Sequence, residues 1–141
     1  MSANVLIVDD EEGIRTSLGA YLSLEGYTVD VAEDGKKALE LLRQTKFNII
    51  LLDINMPGMD GLETLKAIKA LDFSIQVIMI TAYSTFDKTM KSLEFGASDY
   101  ILKPFEDLKE ILHLVKLSEE RLDRWKRNMS ASIIKQRQKS D

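Results

Sequence analysis

Short apolar runs alternate along this chain with longer stretches in which apolar residues recur every three or four positions. Val5-Leu6-Ile7-Val8 is continuous, short and β-branched, which predicts a buried strand. Over residues 12–25, Ile14, Leu18, Tyr21 and Leu22 share one helical face, and Gly26 stops that helix. Tyr27 to Val31 alternates as a strand does. Asp34 is placed to cap a helix whose apolar side carries Ala38, Leu39, Leu41 and Leu42. Asn48 to Leu52 predicts a third strand, and Gly61 to Leu71 a helix through Leu62, Leu65 and Ile68. Ile75 to Ile80 is a fourth strand, Ser84 to Phe95 a fourth helix, and Tyr100-Ile101-Leu102 a short fifth strand before a helix from about Glu106.

Five strand-then-helix units in a row predict an α/β fold: a doubly wound, five-stranded parallel sheet with helices on both faces. Parallel neighbours need right-handed helical crossovers, and each helical segment is long enough to make one. From Asp107 the helical pattern does not stop. Ile111, Val115, Leu122, Trp125 and Met129 follow a four-and-three spacing broken at Ser118. The last helix therefore extends, either as a coiled coil or linker helix or as an amphipathic segment folding back on its own domain. From Ser130 on, the polar and basic composition suggests fraying.

Composition narrows the class. The 141 residues are 45% apolar and 30% charged, which suits one soluble core plus an appendage. A net charge of −4 does not point to nucleic acid, and the absence of cysteine excludes disulfides and thiolate chemistry. The start has no leader pattern and no apolar run approaches membrane-spanning length, so the expected location is the cytoplasm. Residues 1–117 carry 12 Lys/Arg against 19 Asp/Glu, and residues 118–141 carry 7 against 4. That shift from −7 to +3 marks an expected boundary near Ser118, with a domain over 1–117 and a helical extension over 118–141. Arg121, Arg124, Lys126 and Arg127 are not read as a DNA-binding set, because no helix-turn-helix presents them.

In such sheets ligands sit outside the carboxyl ends of the strands. Those ends are polar here. The first strand runs into Asp9-Asp10, the third into Asp53, the fourth into Thr81-Ala82 and the fifth into Lys103-Pro104. Taken singly, each acidic residue reads as a cap or a turn residue, and Asp9 could cap the next helix. Taken together they converge on one rim. Two carboxylates about 5 Å apart repel by about 3 kcal/mol at an effective dielectric near 20, so three with one lysine call for protonation or a cation. Hard oxygen ligands on an open rim suit Mg²⁺. Lys103 and Thr81 can then address phosphoryl oxygens, and Asp53, at mid-sheet, is the candidate nucleophile for phosphoryl transfer.

Four blocks carry a family resemblance: Val8-Asp9-Asp10; Leu52-Asp53-Ile54-Asn55-Met56-Pro57-Gly58-Met59-Asp60-Gly61; Ile80-Thr81-Ala82; and Tyr100-Ile101-Leu102-Lys103-Pro104-Phe105. Over residues 4 to about 117 the chain resembles the response-regulator receiver family of two-component signalling. The resemblance implies a flavodoxin-like receiver fold and a phosphorelay partner, a histidine kinase or phosphotransfer protein. It implies Asp53 as phosphoacceptor and Asp9, Asp10, Asp53 and the Asn55 carbonyl as Mg²⁺ ligands. Lys103 would pair with the phosphoryl group, Thr81 would be the switch hydroxyl, and Lys103–Pro104 would be cis. Tyr100 is either the aromatic that turns inward with Thr81 or a half-buried strand residue. Asn55 and Tyr83, each two residues beyond a site residue, are expected to tune the lifetime of the acyl phosphate, with Tyr83 slowing self-dephosphorylation. The switched surface would be the face of the fourth helix, fifth strand and last helix, and a homodimer could form there or through the extension. Met56 and Met59 are expected to pack the loop, Gly61 to free a helix start, and His113 to lie on the surface.

Three rivals are weaker. A phosphohydrolase with an Asp nucleophile would want a carboxylate where Asn55 stands. A docking-only pseudo-receiver would lack Asp10, Asp53 or Lys103. A dinucleotide-binding domain would carry a glycine-rich turn after the first strand.

Overall fold

The computed structural model describes residues 3–82 and 85–140. Its elements alternate as β1 (Asn4–Val8), α1 (Glu12–Leu24), β2 (Thr28–Ala32), α2 (Gly35–Gln44), β3 (Ile49–Asp53), α3 (Gly61–Leu71), β4 (Gln76–Thr81), α4 (Phe86–Glu94), β5 (Asp99–Leu102) and α5 (Leu108–Ser140). The strands form one parallel sheet in the order β2-β1-β3-β4-β5. The order reverses between β1 and β3, so the connections that follow these two strands leave toward opposite faces and open a crevice at their carboxyl ends.

The three central strands read as unbroken apolar runs because both faces of the sheet are covered. Leu6, Val8, Ile50, Leu52, Val77 and Met79 face Ala38, Leu65 and Ile68 of α2 and α3. Their neighbours Val5, Ile7, Ile49, Leu51, Ile78 and Ile80 face Leu18 and Leu22 of α1 and Ile111 and Val115 of α5. β2 lies at the edge, and its alternating sequence matches its partial exposure.

Local signals explain the helix starts. Asp34 accepts the Lys37 N–H at 2.8 Å, Asp60 the Glu63 N–H at 2.9 Å and Thr85 the Lys88 N–H at 3.2 Å, each satisfying a donor the helix cannot. Gly26, with φ of 98°, turns the chain out of α1. The fourth helix begins at Phe86, and Ser84 lies outside the described residues.

The last helix differs most from its sequence pattern. It passes through Ser118 without a break, and Ser118 is buried. It also remains helical through Ser130 to Ser140, a stretch with good helix formers and no Gly or Pro. The apolar stripe has two fates. Ile111, Val115 and Leu122 pack on the domain, whereas Trp125 and Met129 are exposed. Arg121 donates to the Gln76 side chain at 2.8 Å, and Ser98 donates to the same oxygen at 3.0 Å. This ties α5 to the amino end of β4.

Candidate functional site

Strand register assembles the site. Val8 lies beside Leu52, Asp53 beside Ile80, and Thr81 beside Leu102. One step beyond these pairs, Asp9, Asp53, Thr81 and Lys103 meet across four adjacent strands.

Lys103 Nζ is the hub. It stands 2.7 Å from Asp9 Oδ2, 3.3 Å from Asp53 Oδ2 and 3.8 Å from Glu11 Oε2. Its side chain is only 6% exposed. Burial alone would lower its pKa, but its close ion pair with Asp9 and the charge of Asp53 outweigh that and raise it. Lys103 stays an ammonium.

Asp53 is 3% exposed. Burial, and then repulsion from Asp9, push its carboxyl up to about 6, although Lys103 and the Asn55 N–H pull the other way. The Asn55 N–H donates to Oδ1 at 3.1 Å. Asp9 is fully buried and accepts the Glu11 N–H at 2.9 Å, so it braces the turn before α1 rather than capping the helix itself. Its Oδ2 has the charge of Lys103 nearby but no hydrogen bond of good geometry. Asp10 is exposed at the mouth, and oxygens of Asp9, Asp10 and Asp53 lie within 4.8 Å of one another. Three carboxylates facing one ammonium, with a buried oxygen short of a donor, fit a hard divalent cation.

The Thr81 side of the rim is built around Asn55. Its Nδ2 donates to Thr81 Oγ1 at 2.8 Å, and Thr81 is fully buried. Tyr100 is half-buried and packs on the α2–α3 side of the sheet. Lys103–Pro104 is cis. Tyr83 lies outside the described residues.

The loop after Asp53 is held by close packing. Met56 is buried in the core, and Met59 packs against Gly35. Gly61 has a different task from freeing a helix start: a Cβ there would overlap the Asp53 carbonyl oxygen and Ile54 Cα. The start of α3 is pressed against the backbone at the end of β3, and the Gly61 N–H donates to the Ile54 carbonyl at 2.8 Å. Gly58, by contrast, has φ of 76° and open space around it.

Two contacts have no motif behind them. Arg15 donates to the Asp9 carbonyl at 2.8 Å from α1, and Lys88 donates to Asn55 Oδ1 at 3.4 Å from α4. Both depend on helix phase and on the approach of a helix to the rim. His113 is exposed on α5.

An acidic trio, a buried lysine and a buried threonine at the switch point of a five-stranded parallel sheet define a receiver-type protein. The response regulator receiver domain model matches residues 5–116, and the chain belongs to that family. It is a receiver domain of two-component response regulators, with a flavodoxin-like fold. Sporulation initiation phosphotransferase F of Bacillus subtilis (strain 168) is 42% identical over 116 residues, covering 82% of this chain and 93% of that protein. Transcriptional regulatory protein ZraR of Klebsiella oxytoca is 43% identical over 122 residues, 82% of this chain but only 28% of that protein. The chain therefore spans almost all of one relative and under a third of the other.

Among solved structures, the Thermotoga maritima response regulator TrrA in complex with Mg(2+)-BeF has a TM-score of 0.75 at 36% identity, covering 84% of this chain and 99% of that one. Chemotaxis protein CheY4 of Vibrio cholerae has a TM-score of 0.79 at 31% identity, covering 84% and 99%. No helix among the described residues is long and apolar enough to cross a membrane.

Proposed function

We propose that Asp53 accepts a phosphoryl group from a histidine kinase or phosphotransfer protein and that the modified chain switches a protein-binding surface. The observation that carries this is the pairing of a buried Asp53 carboxylate with the Lys103 ammonium at 3.3 Å, between Asp9 and the Thr81–Asn55 pair. An Asp53 oxygen attacks phosphorus, the bond from phosphorus to the donor's imidazole nitrogen breaks, and the electron pair leaves with that nitrogen.

Asp9, Asp10, Asp53 and the Asn55 carbonyl are the proposed Mg²⁺ ligands. The metal supplies positive charge against the carboxylates and the incoming oxygens. Lys103 turns from the free carboxylate to the phosphoryl group and stabilises its charge. Thr81, now accepting from Asn55, reorients to donate to a phosphoryl oxygen, and Tyr100 fills the space it leaves. Water attack on the acyl phosphate returns the chain to its resting state. The only enzyme-like chemistry proposed is on the chain itself.

The exposed apolar residues Phe86, Met90, Leu93 and Leu102 on α4 and β5 support a protein-binding surface there, and Trp125 and Met129 support a second on α5. A second copy of the chain is one occupant of either. Residues 1–117 act as the receiver, 118–141 as its extension, and the proposed location is the cytoplasm. Incubation with acetyl phosphate and Mg²⁺, followed by intact-mass analysis, tests the acceptor. One labile phosphoryl adduct is expected on the wild type and none on Asp53→Asn. An adduct that survives that substitution defeats the reading.

A further inference from the structure

Lys88 belongs to none of the blocks that build the site, yet its ammonium reaches the rim. It is the third residue of α4, and Thr85 accepts its backbone N–H at 3.2 Å. That cap sets the first turn and points the start of α4 at the carboxyl end of the sheet. Lys88 Nζ then lies 3.4 Å from Asn55 Oδ1, while Asn55 Nδ2 lies 2.8 Å from Thr81 Oγ1. One amide thus bridges the α4 ammonium and the switch hydroxyl.

A contact of 3.4 Å is long for a charge-assisted hydrogen bond, so it contributes little energy. What it fixes is the place of a charge. On one side of the acceptor stand Asp9, Asp10 and Glu11, with Lys103 already engaged by Asp9 and Asp53. Even with a divalent cation among them, these four carboxylates outnumber the positive charges by one, so an anionic phosphodonor entering that field meets net negative charge. Lys88 puts a second ammonium on the opposite, Thr81 side, on a half-exposed side chain that can follow the donor.

We propose, on the reading that Asp53 is the acceptor, that Lys88 is a specificity-determining residue that favours phosphodonors of higher negative charge. The Asn55 amide lies between that ammonium and the Thr81 hydroxyl, so the charge stands on the Thr81 side of the rim.

The test compares two small donors on the full chain with Mg²⁺ near neutral pH. Acetyl phosphate is a doubly charged anion, and phosphoramidate a zwitterion whose ammonium cancels half of that charge. In both reactions an Asp53 oxygen bonds to phosphorus as the leaving bond breaks. The electron pair departs with acetate in one case and with nitrogen, released as ammonia, in the other. Rates are read by intact mass for the wild type, Lys88→Ala, Lys88→Gln and Lys88→Arg. Glutamine can still donate to Asn55 but carries no charge; arginine keeps the charge.

From one unit charge a few ångströms from the donor in a water-rich mouth, Lys88→Ala and Lys88→Gln should lose about three- to tenfold with acetyl phosphate at low salt. With phosphoramidate they should lose less than about twofold, and Lys88→Arg should stay close to the wild type with both. Equal losses with the two donors, a fully active Lys88→Gln, or no loss at all would overturn the assignment. A wild type labelled by neither donor would overturn the acceptor reading itself, and this one with it.

Discussion

Asp53→Asn should make the metal-free domain more stable, because the Asp53 carboxylate sits where its charge is disfavoured. Its carboxyl rises from an ordinary 3.8 to about 6. Each pH unit of displacement is worth about 1.4 kcal/mol, so the ionised form costs up to about 3 kcal/mol in the folded state. The sign follows from proton binding. Between about pH 4 and pH 6 the folded chain holds this proton and the unfolded chain has released it, so stability falls as pH rises through that window and the full penalty is present above it. Asparagine keeps a carbonyl oxygen for the Asn55 N–H, and Lys103, which loses the Asp53 Oδ2 contact, keeps Asp9 at 2.7 Å.

With EDTA at about pH 8, Asp53→Asn should therefore gain about 1–3 kcal/mol, and below about pH 4 the difference should vanish. Urea unfolding followed by far-ultraviolet circular dichroism measures it. Trp125 is a poor reporter, since it is 63% exposed on the outer part of α5. No gain at about pH 8, or an equal gain at both pH values, would refute the reasoning.

Metal binding should show the same charge excess from the other side. At ten times its dissociation constant Mg²⁺ should stabilise the wild type by about 1.4 kcal/mol, and Asp10→Asn should remove most of that response in a thermal melt with and without Mg²⁺. An unchanged response would take Asp10 out of the ligand set. The two loop glycines should differ for different reasons. Gly61→Ala, which forces backbone atoms apart, should cost at least about 2 kcal/mol, whereas Gly58→Ala, which pays only for a left-handed φ, should cost about 1 kcal/mol. Urea midpoints give the order, and the reverse order would mean that α3 can slide away from Asp53.

The layers of the fold were legible because both faces of the sheet are covered. Runs such as Val5–Val8 and Ile49–Leu52 have no other use in a chain of this length, and Asp34 announced its helix by capping it. The residues of the rim could be read because a parallel sheet sends every strand's carboxyl end the same way. The contacts among them could not. Asp9 accepting from the turn, Asn55 bridging Thr81 and Lys88, and Arg15 holding the Asp9 carbonyl all depend on rotamers and helix approach, which leave no period in the sequence. Gly61 was misread for a related reason. Its need is set by Asp53 and Ile54, which lie several residues away along the chain but touch it in space. Ser118 interrupts the apolar spacing yet not the helix, since a small residue there can be buried.

The tie between Arg121 and Gln76 gives the long helix a mechanical meaning. β4 carries the Thr81 hydroxyl at one end and this anchor at the other, about 17 Å apart along a strand of six residues. Beyond Leu122 the helix continues for another 18 residues, about 27 Å of lever arm. A tilt of about 10° at the fulcrum would sweep the far tip through about 5 Å, so an adjustment too small to register within the sheet becomes, at the end of α5, a displacement as large as one helical turn.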